Sequence, residues 1–164
     1  MKKTNVKSLA ISAIIAALYV ALTWLLAPIS YGPIQFRVSE ILVLLVFLNP
    51  KYAYSLAIGC LIANTTSSFG WYDIVFGTIA TIVALIPMTK SKNIFIAAIF
   101  PVVSNAIIIS VELLLIYNEP HLFLFNVLTI GLGEAIVLFL LGIPVVKLLC
   151  KNETIVELLE VLKK

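Results

Sequence analysis

The stretch SLAISAIIAALYVALTWLLA, residues 8–27, decides how this chain folds. Lys2, Lys3 and Lys7 precede it, which gives it the outline of a secretory leader. It is longer than an ordinary leader core, and no small-x-small cleavage site follows it. One helical crossing of a bilayer needs about 20 residues, and the stretch supplies them. It is therefore read as a retained first span. The whole chain agrees: its 164 residues are 62% hydrophobic and 12% charged, with a mean hydropathy of +1.16. A soluble domain is about half apolar and a quarter charged. No core of this size can hold the surplus, so lipid is the solvent and water-soluble enzymes and binding modules are excluded.

Polar breaks divide the rest of the chain. Pro28, Gly32 and Pro33, then Asn49 and Pro50, Gly70, Lys90 through Asn93, and Asn118 with Pro120 all carry turn chemistry. Between them the sequence predicts an all-α membrane protein in one domain. Its six transmembrane helices cover residues 8–27, 38–48, 52–66, 73–88, 93–117 and 122–146. A short amphipathic tail follows, 153–164, with Ile155, Leu158, Leu159 and Leu162 on one face and Glu153, Glu157, Glu160 and Lys164 on the other. Such a helix suits the cytoplasmic interface or a partner; a surface helix with no role is the plainer reading.

With six spans, all ten lysines fall on one side, and the other side holds only Arg37 and His121. A five- or seven-span count would scatter them. By the positive-inside rule both termini are cytoplasmic, in the cell membrane. The net charge of +3 is too small and dispersed for nucleic-acid binding. Cys60 and Cys150 build no disulfide framework.

The second span is short. As an α-helix, residues 38–48 would reach only ~16 Å, against a hydrocarbon core ~30 Å thick. The third span turns polar at Asn64, and the fourth opens on Asp73. Polar or irregular structure at membrane depth belongs where protein buries it or a cavity opens beside it, and short apolar segments point to a binding site.

Ionisable groups within spans are costly and are functional candidates by default. Glu40, Asn64, Asp73, Asn105, Glu112, Asn126 and Glu134 all fall at the centre or in the outer half. Asn105 and Glu112, seven apart, share a face. A set this rich in carboxylates favours a ligand with cationic or hydrogen-bond-donor character. Plainer readings stay open: Arg37 pairs with Glu40 three residues on, Asp73 caps its helix, and Glu112 and Glu134 bond neighbouring helices. Tyr31, Phe36, Phe69, Trp71 and Tyr72 form either an interfacial belt or a stacking platform for a flat heterocycle. Ala13, Ala17 and Ala21 repeat along one face of the first span, where another helix can approach closely, from within the chain or from a partner.

Chemistry is absent. No phosphate loop, no Cys/His metal spacing and no nucleophile motif is present, so neither an enzyme nor a self-powered pump is expected. A small membrane protein with an outward polar cavity and no engine fits a substrate-capture subunit.

Six spans, a cytoplasmic N-terminus and the alanine repeat resemble the substrate-binding S components of energy-coupling factor transporters. YGPIQFRVSE (31–40), GCLIAN (59–64), DIVFGTIAT (73–81) and Gly133-Glu134 are similar to the QueT-type S components, which are associated with queuosine precursors. The likeness covers most of the chain. It implies an S-component-like bundle and a ligand of the 7-deazaguanine class, in its aminomethyl or nitrile form. It implies no cofactor. The partners it implies are a transmembrane coupling protein, docked on Ala13, Ala17 and Ala21, and two cytoplasmic ATPases. The substrate-binding candidates are Tyr31, Gln35, Arg37, Glu40, Asn64, Trp71, Asp73, Asn105, Glu112, Asn126 and Glu134. A guanine-like edge offers N–H donors that carboxylates accept, and an aminomethyl group adds a cation. Competing readings are an S component for another vitamin-like substrate, an autonomous transporter using Glu112 or Glu134 as a proton relay, and a membrane scaffold without a ligand.

Overall fold

The computed structural model describes residues 6–30 and 35–160; Tyr31 and the last four residues of the tail lie outside them. Among the described residues every regular element is helical. The first helix, α1, is Val6–Leu25, and a single turn, Ala27–Ser30, follows it. Then come α2 (Val38–Leu48), α3 (Tyr52–Asn64), α4 (Trp71–Lys90), α5 (Ile94–Tyr117), α6 (Pro120–Leu149) and α7 (Glu153–Leu158). Four of them, α1, α4, α5 and α6, are long and apolar enough to cross a membrane, while α2 and α3 are shorter.

Several boundaries differ from the sequence reading, each for a local reason. The third span ends at Asn64 rather than residue 66, because the hydroxyls of Thr65 and Thr66 donate back to Ile62 O and Ala63 O and the chain turns there. The fourth begins at Trp71, directly after Gly70 at φ +60°, a conformation open chiefly to glycine. Asn93 is a cap and not the first turn of α5; its side chain accepts from Phe95 N at 2.8 Å. The last span runs on to Leu149 and contains a π-helical segment, Ile136–Gly142.

The short second span makes up part of its missing length by its winding. Val38–Leu44 is 3₁₀-helical and only Leu45–Leu48 is α-helical. At ~2.0 Å per residue in the first part, eleven residues span ~20 Å, still short of a bilayer. The segment instead packs inside the protein against the π-helical part of α6. Gly142 lies at that contact, where a Cβ would stand 2.8 Å from the terminal methyl Leu44 Cδ1 and 3.7 Å from Ile41 Cα.

Pairings along the helices show their directions. α1 and α3 run parallel. Lys51 Nζ donates to Ser8 Oγ at one end (3.0 Å), and Trp24 Nε1 donates to Ala63 O at the other (3.2 Å). Between these ends Gly59 lies so close to α1 that a Cβ would meet Ala16 O at 3.0 Å. α4 runs against α3, with Asn64 beside Gly77 and Cys60 Sγ 3.1 Å from Thr81 Oγ1. Ser104 Oγ donates to Ala80 O at 2.6 Å to join α5 to α4. Ala106 meets Gly131, and Phe95 stacks on Phe139 at 6.4 Å, to join α6 antiparallel to α5. This order brings the described lysines, Lys7, Lys51, Lys90, Lys92, Lys147 and Lys151, to one end of the bundle.

The tail packs back on its own chain at that end. Tyr52 Oη donates to Leu159 O, Asn49 Nδ2 donates to Glu160 O, and Lys51 Nζ pairs with the Glu160 carboxylate at 2.7 Å. Leu159 joins the apolar core. Elsewhere polarity is inverted relative to a soluble protein. Leu9, Ile14, Leu18, Val83, Leu132 and Leu140 face outward, while Glu40, Asn64, Asp73, Glu112 and Glu134 are buried. That distribution suits a lipid surround.

Candidate functional site

The buried polar groups converge in the half of the bundle away from the lysines. Arg37 anchors the group. The chain enters from Gln35, a buried residue with φ +49°, and Arg37 N bonds back to Gln35 O at 2.8 Å in a tight three-residue turn. A non-glycine residue in that region is a local cost held in place by its surroundings. Arg37 is the one buried cationic side chain among the described residues. Its guanidinium lies within Coulombic range of Glu40, Asp73, Glu112 and Glu134, carried on α2, α4, α5 and α6. Four carboxyl groups around one guanidinium leave a surplus of acceptors over donors.

Each acid has its own surroundings. Glu40, on the 3₁₀ part of α2, accepts a hydrogen bond from Tyr19 Oη on α1. Beside it Thr23 Oγ1 donates to Ser39 Oγ at 2.7 Å, so α1 and α2 are stitched together at two levels. Asp73 stands in the first turn of α4, where the helix dipole favours a carboxylate. One of its oxygens accepts from Ser67 Oγ, and its carboxyl group lies against that of Glu112. Glu134 stands just before the π-helical segment, with Asn105 of α5 against it. Asn64 packs on Gly77 across α3 and α4 and reaches Cys60 Sγ at 3.4 Å.

Buried acceptors left without a hydrogen-bond partner concentrate here: Glu40 Oε2, Asn64 Oδ1, Asp73 Oδ1, both oxygens of Glu112, and Glu134 Oε1. A buried polar atom with no partner is expensive, so its persistence calls for a ligand or ordered water. Among the described residues no group of three or more His, Cys, Asp or Glu could hold a metal ion.

Of the residues proposed from sequence, Gln35, Arg37, Glu40, Asn64, Asp73, Asn105, Glu112 and Glu134 are all buried. Asn126 is half-buried, eight residues before Glu134 on α6. Trp71 is 61% exposed and stacks on Tyr72 at 4.1 Å, and Phe69 meets Tyr117 edge-on at 6.0 Å. Both pairs sit at the end of the bundle opposite the lysines. Tyr19, Thr23, Ser39 and Ser67 were missed by the sequence reading. A signal existed: Tyr19 and Thr23 each lie two residues beyond an alanine of the repeat, about 200° round the helix.

The alanine face itself is open. Ala13, Ala17 and Ala21 are exposed and line a groove of about 880 Å³ between α1 and α3, walled by Trp24, Tyr54 and Ile58.

These features define a small multi-pass membrane protein with a cluster of acids turned inward. The chain belongs to the QueT transporter family, whose model, described as "QueT transporter", matches residues 9–151. It is 39% identical over 157 residues to the "Queuosine precursor transporter QueT" of Lactococcus lactis subsp. cremoris (strain MG1363), covering 85% of this chain and 90% of that protein. No solved structure matches it.

Proposed function

We propose that this chain is the substrate-capture component of an energy-coupling-factor importer and that it binds a queuosine precursor of the 7-deazaguanine class. The observation that carries the reading is the buried acid cluster: four carboxyl groups around Arg37, with unpartnered acceptors on all four. A 7-deazaguanine presents ring N–H and exocyclic amine donors, the complement of that set. The name of the Lactococcus relative supports the same substrate.

The capture role follows from what else the chain carries. Its sequence has no phosphate loop to drive uptake. It has an open apolar groove along three small residues, where another helix can approach closely. In this reading six spans cross the membrane with both termini in the cytoplasm, and the acid cluster opens to the outside. A transmembrane coupling protein docks on the Ala13–Ala17–Ala21 face, and two ATPases supply the energy.

Mass spectrometry of the small molecule that co-purifies with the protein tests the ligand, and a 7-deazaguanine is expected. Reconstitution in liposomes tests the role. The chain alone is expected to bind the base without accumulating it. ATP-independent, proton-driven accumulation by the chain alone would replace the capture reading with an autonomous transporter.

A further inference from the structure

We propose that the lysine end of α4 holds a diacyl phospholipid with an anionic headgroup, its phosphate over Lys90 and Lys92 and one acyl chain in each of the two grooves that flank the helix. The site is separate from the acid cluster and does not depend on which molecule that cluster binds.

The two grooves lie on either side of α4. One, of about 570 Å³, runs between α3 and α4 and is lined by Ala53, Ala57, Ile82 and Ile86. The other, of about 320 Å³, runs between α4 and α5 and is lined by Val83, Pro87, Phe100 and Val103. Polar side chains border the first only near its head, at Lys51, Tyr54 and Thr89. In the second, the hydroxyl of Ser104 is spent on Ala80 O. Ile82, Val83, Ile86 and Val103 are exposed, so both grooves open toward the bilayer. Lys90 stands four residues beyond Ile86 and three beyond Pro87. It therefore sits one turn above a wall residue of each groove, on the ridge of α4 that separates them. Val83 and Pro87 lie about 5–10 Å below it along the axis, inside the ~15 Å of hydrocarbon that one leaflet supplies.

The headgroup level is basic. Lys90 and Lys92 are exposed, and neither enters an ion pair among the described residues. Lys51 is already held by Glu160 and Ser8 and adds nothing to the count. Bare carbonyls at a helix end repel a phosphate. Here Thr89 Oγ1 donates to Ile86 O at 2.7 Å and Ser91 Oγ donates to Pro87 O at 3.2 Å, so two of those carbonyls are covered. Charge and shape together select the occupant: two apolar arms joined at one anion. A partner helix would fill one groove but could not straddle the ridge, and a free phosphate would leave both grooves empty.

The test is native mass spectrometry of the purified full-length protein in detergent, titrated with phosphatidylglycerol and with phosphatidylcholine of the same chain lengths. A lysine near the membrane surface is worth about fivefold in affinity for an anionic lipid, so phosphatidylglycerol should bind about tenfold tighter or more. Lys90→Gln combined with Lys92→Gln should weaken it by about ten- to thirtyfold, to the level of phosphatidylcholine. Lys90→Gln alone, expected at about fivefold, stands in if the double variant does not elute as a folded protein. Lys151→Gln, exposed at the same end but beyond α6, should change the affinity less than about twofold. Val103→Trp fills the second groove and should weaken both lipids alike. Equal affinities for the two lipids, or an equal loss in the Lys151 variant, would mean a general basic belt and overturn the site. Displacement of phosphatidylglycerol by glycerol phosphate would make it a site for a free anion. A dimer that excludes the lipid would give the grooves to a second copy of the chain. Either result would overturn the lipid assignment.

Discussion

Tyr19 donates its phenolic hydrogen to the carboxylate of Glu40, and this bond ties α1 to the acid cluster. The opposite side of α1 carries Ala13, Ala17 and Ala21 and the open groove. One helix therefore touches the site with one face and offers the other to a neighbour. Any shift of α1 that accompanies docking would be felt at Glu40 through Tyr19 and through the Thr23–Ser39 bond. Tyr19→Phe keeps the ring and removes the donor. A buried acceptor stripped of its partner costs about 1–3 kcal/mol, so the variant should be less stable by that amount in a detergent thermal-unfolding assay. An unchanged transition would mean that the bond contributes nothing net.

The binding role proposed for Glu134 makes a separate forecast. Glutamine keeps the size of the side chain but replaces one acceptor with a donor. Loss of a buried, charge-assisted hydrogen bond of about 1.5–3 kcal/mol should weaken 7-deazaguanine binding roughly ten- to a hundredfold. Glu119→Gln, in the exposed loop where Glu119 pairs with His121 at 3.2 Å, should leave affinity unchanged. Equal effects of the two changes would remove Glu134 from the site.

The groove can be filled without touching the acids. Ala13→Leu combined with Ala17→Leu places bulk where a partner helix must come close. Both positions are exposed, so the fold and ligand binding should be spared, while co-purification with a coupling protein should fall sharply. Undiminished co-purification would assign docking to another surface.

Gly59 sets the distance between α1 and α3. A methyl group there meets the Ala16 carbonyl at 3.0 Å and Tyr19 Cβ at 3.2 Å, and neither is the end of a flexible chain. Overpacking of this kind costs about 1–3 kcal/mol. Gly59→Ala should lower thermal stability accordingly, whereas Ala57→Gly would not relieve anything at this contact. A Gly59→Ala protein as stable as the original would show that the two helices part freely.

Orientation can be read from a native thiol. Cys150 is exposed at the lysine end, and Cys60 is buried. With both termini cytoplasmic, an impermeant maleimide should label Cys150 only after permeabilisation. Partial burial raises the Cys150 thiol above its ordinary pKa, so less thiolate is present at neutral pH and labelling should speed up as pH rises. In a Cys150→Ser background, Ser68→Cys should react on intact cells. Labelling of Cys150 on intact cells would invert the topology.

What was legible in the candidate site was the burial of its polar residues. Acids and amides in an apolar chain must be buried together, because lipid offers them nothing. Glu40, Asn64, Asp73, Asn105, Glu112 and Glu134 could therefore be named from their positions in the spans, Gln35 and Arg37 came from the segment before the second span, and all are buried. Their pairing was not legible. The charge of Arg37 does reach Glu40, three residues on, but the hydrogen bond that Glu40 takes from Tyr19, 21 residues away, was not legible. Trp71 reads as a stacking candidate and is largely exposed, since one residue's rotation about a helix start decides inward or outward.

The sequence by itself determined the solvent, the helical class, the approximate limits of each apolar segment and the segregation of the lysines. These follow from local composition and from the ~30 Å that a bilayer imposes. Only the tertiary structure decided that α2 winds as a 3₁₀-helix against a π-helical stretch of α6, that the tail folds back onto Lys51, and that Asp73 meets Glu112. Those outcomes depend on how helices distant in sequence fit side by side. Such a fit turns on a single absent methyl group at Gly59, whose consequence appears only when the neighbouring helix is in place.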